Sequence, residues 1–121
     1  MLRILLATAR PEALHSFAEA LSSDPDVRLD RVASGAEALS AVRTSSPHMV
    51  IIDIELPDYR PLELVTELIM VNAMVGTAVV SSLSDHQFHA ASEGLGILGR
   101  LPVEPGPADA ANLLQSLMNV V

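Results

Sequence analysis

Four consecutive apolar residues, Met49-Val50-Ile51-Ile52, end abruptly in Asp53. A β-branched run of this kind suits a strand buried on both faces, and such a strand belongs inside a parallel sheet with helices packed above and below it. The rest of the chain supplies those partners in alternation. Arg3 to Ala7 is a second short apolar run, and Pro11 suits a first helical turn, followed by Leu14, Phe17, Ala18 and Leu21 at the spacing of one helix face. The cluster Ser22-Ser23-Asp24-Pro25 closes that helix, and Val27 to Val32 alternates imperfectly, as an outer strand does. Ser34 and Glu37 stand at capping-box spacing and open a helix that buries Ala38, Leu39 and Val42. Leu62, Val65, Leu68 and Ile69 mark a third helix, and Thr77 to Ser82 a fourth strand. Asp85 to Glu93 forms a shorter helix with Phe88 and Ala91 inward, before Gly94 and Gly96 break it and Ile97 to Leu101 returns to the sheet. Leu113, Leu114, Leu117, Met118 and Val121 give a last amphipathic helix. Five strand-then-helix units in 121 residues predict one α/β domain over residues 1–121, with a five-stranded parallel sheet, helices on both faces and right-handed crossovers.

Composition excludes several kinds of chemistry. The chain has no cysteine, which removes disulfides, thiolate metal sites and thiol nucleophiles together. A formal charge of −8 disfavours binding that works by neutralising nucleic-acid phosphates, so no direct nucleic-acid partner is expected. All seven basic residues are arginine: Arg3, Arg10, Arg28, Arg31, Arg43, Arg60 and Arg100. The opening residues lack a basic leader with a small-residue cleavage site, and no stretch reaches transmembrane length, so the expected location is the cytoplasm, without a membrane partner.

In doubly wound sheets, ligands bind beyond the carboxyl ends of the central strands, which is where Asp53 falls. The stretch Pro47 to Asp58, with Leu56-Pro57 after the aspartate, resembles the segment of response-regulator receiver domains that carries the phosphoacceptor. Ser34-Gly35-Ala36-Glu37-Ala38-Leu39 resembles the second-helix opening of the same family. The resemblance implies a flavodoxin-like fold with strand order 2-1-3-4-5, and it makes Asp53 the phosphoacceptor-equivalent residue. On position alone, Asp53 would be a strand-terminal aspartate capping the next turn.

The same resemblance exposes what is missing. The family holds magnesium with an acidic pair after the first strand, but Thr8 and Ala9 occupy those positions. Magnesium prefers several oxygen ligands in octahedral geometry, so low metal affinity and no cofactor are expected. The family's lysine-proline pair after the fifth strand matches Glu104-Pro105, or Leu101-Pro102 in another register, and a chain without lysine cannot restore the cation in either. A carboxylate at that place would repel a phosphoryl group, since like charges about 4 Å apart cost on the order of 4 kcal/mol at intermediate dielectric. The family's switch hydroxyl has candidates in Ser81, Ser82 and Ser84, with Ser82 preferred. Arg60-Pro61 replaces an acidic-glycine pair, and Arg100 or Leu101 stands at the usual fifth-strand aromatic position.

Arg10 lies beside the emptied acidic pair. It either reaches Asp53 and balances its charge in place of a divalent ion or is a solvated arginine at a helix start, and the small value of exposed ion pairs favours the second. His86 and His89 share a helix face but lack a third ligand, and no role is assigned to His48. Gly94, Gly96 and Gly99 match part of a dinucleotide fingerprint by spacing alone, in front of a late strand instead of after a first one. Serine nucleophile elbows are missing from the sequence.

The resemblance therefore implies a non-enzymatic signalling module that acts through protein contacts without conventional magnesium-dependent phosphorylation. A histidine kinase or an output protein would be its partner. The family's usual surface, the fourth helix, fifth strand and fifth helix, would also admit a second copy, because the last helix is rich in apolar residues. Two other readings stay open: a working phosphorelay receiver modified on Asp53, and the N-terminal receiver-like part of a larger protein such as an ATPase of pilus assembly or localisation.

Overall fold

In the computed structural model, which describes residues 1–120, strands and helices alternate from end to end. They are β1 (Leu2–Ala7), α1 (His15–Ser22), β2 (Val27–Val32), α2 (Gly35–Ser45), β3 (Met49–Ile52), α3 (Pro61–Val71), β4 (Gly76–Val80), α4 (Asp85–Ala91), β5 (Gly99–Leu101) and α5 (Pro107–Met118). The five strands form one parallel sheet in the order β2-β1-β3-β4-β5. This is the doubly wound flavodoxin-like topology, and among the described residues no helix is long and apolar enough to cross a membrane.

Alternation along each strand divides the core into two layers. Ile4, Leu6, Met49, Ile51, Ala78 and Val80 face the helices α1 and α5, where Phe17, Leu21, Leu113 and Leu117 bury against them. Leu5, Ala7, Val50, Ile52 and Val79 face the opposite way, onto α2, α3 and the single ring of Phe88 from α4. The same parity carries past the strand ends. Thr8 and Asp53 each stand two residues beyond a side chain of the α1/α5 layer, Leu6 and Ile51, and the Asp53 N–H donates to the Ala7 carbonyl at 2.9 Å. Both side chains are thereby directed toward the β1–α1 connection.

Several boundaries differ from those expected. Pro11 opens a pair of tighter turns instead of α1 itself: Ala13 N–H donates to the Arg10 carbonyl at 3.1 Å and His15 N–H to Glu12 at 3.3 Å. α-Helical bonding starts with Ala18 N–H on the Leu14 carbonyl at 2.8 Å. On α3 the fully buried side chains are Leu64, Val65 and Leu68, while Leu62 and Ile69 are half-buried. α4 ends at Ala91, which is exposed, leaving Phe88 as its one buried side chain. β5 shortens because Gly94 and Gly96 take left-handed φ values of +86° and +63°, although Leu98 N–H already bonds the Thr77 carbonyl at 2.8 Å. β4 stops at Val80, so Ser81 and Ser82 fall in the following loop. Met118 is exposed at the end of α5, and Val121 lies outside the described residues.

The start of α2 is held from a distance as well as locally. Ser34 Oγ accepts from Glu37 N–H at 3.2 Å, but Glu37 Oε1 reaches back to Ala33 N–H at 3.1 Å, one residue before the cap, so the box is displaced by one position. The remaining orphan donors go to the β3–α3 loop: Gly35 and Ala36 N–H donate to the two carboxylate oxygens of Asp58 at 2.8 and 2.9 Å. The Tyr59 ring lies directly over Gly35, where a Cβ would be driven into it. The bonds from Ala36 and Gly35 hold the Asp58 carboxyl below its ordinary value. A depressed folded-state value means that this anchor contributes above the ordinary carboxylate range and is lost as pH falls through the lowered one. Asp58→Ala should lower the urea midpoint at neutral pH, and the gap from the parent chain should close in strong acid. A gap that stays constant with pH would contradict this role for the carboxylate.

Candidate functional site

The crevice beyond β1, β3 and β5 is organised by a carboxylate with no exposed surface. Asp53 is 0% exposed, and both its oxygens are shared between two donors. Oδ2 accepts from the Thr8 hydroxyl at 2.7 Å and from Arg10 Nε at 3.0 Å. Oδ1 accepts from Arg10 Nη2 at 2.6 Å and from the Ile54 N–H at 2.7 Å. The guanidinium grips the carboxylate in two-point fashion, the strongest geometry available to such a pair.

Arg10 is itself held. Its N–H donates to Thr8 Oγ1 at 2.9 Å, which fixes the turn, and Nη2 also donates to the Val103 carbonyl at 3.1 Å. One side chain therefore ties the ends of β1 and β3 to the loop after β5. The bond to Asp53 raises the Arg10 pKa above its ordinary value. Burial opposes this, and the charges of Asp53, Glu55 and Glu104 reinforce it. Of the two roles open to Arg10, the structure has the one in which it reaches Asp53, because the tight turns at residues 10–14 aim the side chain into the crevice.

The other candidates are arranged around this pair. Thr8 is buried and hydrogen-bonds Asp53, while Ala9 is exposed and contributes no polar side chain. Glu104 is exposed, and its charge falls on Arg10; the Val103 carbonyl beside it makes the direct contact. Ser81 Oγ accepts from Leu83 N–H at 3.1 Å, and Ser84 caps α4 in a reciprocal box with Gln87. Ser82 is exposed on the wall of a groove of about 440 Å³ that it shares with Ile54, Leu62, Val80, Leu83 and Phe88. His86 and His89 are exposed on α4, and among the described residues no three side chains of His, Asp or Glu converge as a metal site.

Two contacts had no sequence signal strong enough to name them. Val103 acts through its carbonyl, which residue type does not reveal. Arg100, on β5, donates through Nε and Nη2 to Asp85 Oδ1 at 2.9 and 2.6 Å and through Nη1 to the Ser81 carbonyl at 3.4 Å. It fastens the first turn of α4 to β5 and to the end of β4.

Removing one member of a buried, hydrogen-bonded pair leaves a desolvated charge without a partner. Arg10→Ala should therefore cost about 3 kcal/mol, the low end of the usual range because the arginine keeps part of its surface in water. In an Asp53→Asn background the same change should cost only about 1 kcal/mol, the value of an ordinary hydrogen bond. Urea denaturation of the four chains measures both, and equal costs in the two backgrounds would deny the coupling.

No family model matches the sequence, and no curated protein matches it either. Solved structures do match in three dimensions. A CheY-like response regulator receiver domain protein from Methanospirillum hungatei JF-1 superposes with a TM-score of 0.84 at 18% identity, over 98% of this chain and 94% of that one. The non-phosphorylated HemR receiver domain from Leptospira biflexa gives 0.83 at 18% identity, over 100% and 97%. The N-terminal domain of an uncharacterized protein from Wolinella succinogenes gives 0.82 at 20% identity, over 99% and 96%. At such identities the likeness is one of fold, and the fold of this chain is that of the CheY-like response-regulator receiver domains.

Proposed function

We propose that this chain is a receiver-fold signalling module whose acidic crevice is closed by its own arginine, and that it works through protein contacts without magnesium-dependent phosphorylation. The observation that carries the reading is the two-point Arg10–Asp53 pair, with Thr8 on the same carboxylate oxygen. All the strong hydrogen-bonding directions of the carboxylate are engaged. Attack on a phosphodonor would require whichever oxygen reacts to give up an arm of the guanidinium together with either the Thr8 hydroxyl or the Ile54 N–H, and the product would add three further oxygens to a crevice where Glu55 and Glu104 already act on Arg10. Nothing in the chain offers a lysine to offset that charge. Magnesium would meet the same obstacle, since Thr8 and Ala9 provide no carboxylates beside Asp53.

In this reading the chain is not an enzyme, and Asp53 serves to join three loops. The surface of α4, β5 and α5 faces a histidine kinase or an output protein in a state fixed by the Arg100–Asp85 pair instead of one set by phosphate. A cytoplasmic location follows from such partners.

Incubation with acetyl phosphate and magnesium, followed by intact-mass measurement, tests the reading directly. The mass should stay unchanged and magnesium alone should leave the melting temperature where it was. Gain of one phosphoryl group, lost in Asp53→Ala, would establish a working phosphorelay receiver instead.

A further inference from the structure

The apolar residues of α5 that suggested a second copy on that face are occupied in this chain's own core: Ala110, Leu113, Leu114 and Leu117 are buried, and Met118 is the one large apolar side chain of the helix left exposed. Self-association has a better-formed candidate at the other side of the molecule. β2 is an outer strand of the sheet, paired to β1 along all six of its residues and, among the described residues, unpaired by any strand on its far side.

The direction of its backbone groups follows from the bonds at its two ends. The carbonyls of Asp26 and Val32 accept from Leu2 and Thr8 N–H, so even-numbered residues of this stretch turn their backbone groups toward β1. Val27, Leu29 and Arg31 turn theirs outward. If a second β2 lies antiparallel across a twofold axis at Leu29, each Leu29 faces its counterpart in a hydrogen-bonded pair, and Arg31 N–H meets the Val27 carbonyl of the other copy. The Val27 N–H is already given to the Asp24 carbonyl at 3.0 Å, so the ladder would contain four bonds.

Side-chain charge fits the same register. Arg28 and Asp30 flank Leu29 on one face of the strand, both well exposed and only loosely paired to each other at 3.6 Å. Antiparallel pairing about Leu29 brings each Arg28 opposite the Asp30 of the other copy, in the non-hydrogen-bonded positions where facing side chains come closest. Charges on an outer strand ordinarily guard it against pairing. Here their order makes the strand its own electrostatic complement, whereas two like charges at these positions would repel. We propose that the chain forms a symmetric homodimer by antiparallel pairing of β2 about Leu29, producing one continuous ten-stranded sheet. A two-strand contact is small for a protein interface, so the dimer is a concentration-dependent one.

Sedimentation of the full chain over a wide concentration range should show reversible monomer–dimer exchange. Arg28→Asp, which sets like charges across the axis, should raise the dissociation constant about tenfold or more. Asp30→Arg should do the same by the opposite sign. The double exchange Arg28→Asp with Asp30→Arg restores opposite charges and should restore the dimer, with far-ultraviolet circular dichroism and melting temperatures of the dilute monomer showing that each variant folds. A chain that remains monomeric at the highest concentrations would overturn the proposal. So would a dimer indifferent to the single exchanges, or one the double exchange fails to recover. These outcomes do not depend on whether Asp53 accepts phosphate.

Discussion

The crevice depends on a carboxylate that has been taken out of water and given a tethered counter-charge. An isolated buried carboxylate is too costly to keep, so the chain must protonate it, bind a cation or bring a cation of its own. Arg10 takes the last course. Because the guanidinium belongs to the β1–α1 turn and also holds the Val103 carbonyl, balancing the charge at Asp53 at the same time fixes three loops from three different strands. A diffusible ion could neutralise the same charge but would make the loop geometry depend on its concentration.

A second pair lies farther from the crevice and, with Asp85 largely in water, contributes much less. Arg100 binds Asp85 and the end of β4, and α4 otherwise contributes only Phe88 to the core. The helix is thus placed by one ring and one ion pair. The β3–α3 loop is placed by Asp58 on the first N–H groups of α2 and by Tyr59 on Gly35. Each connection at the carboxyl end of the sheet is fastened by a polar contact between residues far apart in sequence.

Most of the architecture was legible because it rests on periodicity. The runs at 27–32 and 49–52 coincide with β2 and β3 to the residue: the second ends sharply at Asp53, and the first is bracketed by the Asp24-Pro25 turn before it and the Ser34 cap after it. Strand parity also places Thr8 and Asp53 on one side. The start of α1 was not legible, because Pro11 fits either the first turn of an α-helix or a tighter turn, and the arginine's contacts decide between them. Phe88 was readable and Ala91 was not, since a seven-residue helix gives too short a pattern to fix both edges of its buried face. In the site, residue types revealed which groups were missing. The two-point grip of Arg10 and the role of a backbone carbonyl at Val103 needed coordinates, because they join positions 10, 53 and 103.

The tethered guanidinium also limits how such a crevice can change by mutation. Placing an acidic residue at position 8 would remove the hydroxyl that holds both Asp53 and the Arg10 backbone, and deleting Arg10 first would strand a buried charge. Either of these single changes passes through a less stable chain. Internal neutralisation therefore acts as a latch: residues 8, 10 and 53 hold one another, and opening the crevice takes coordinated change at more than one of them.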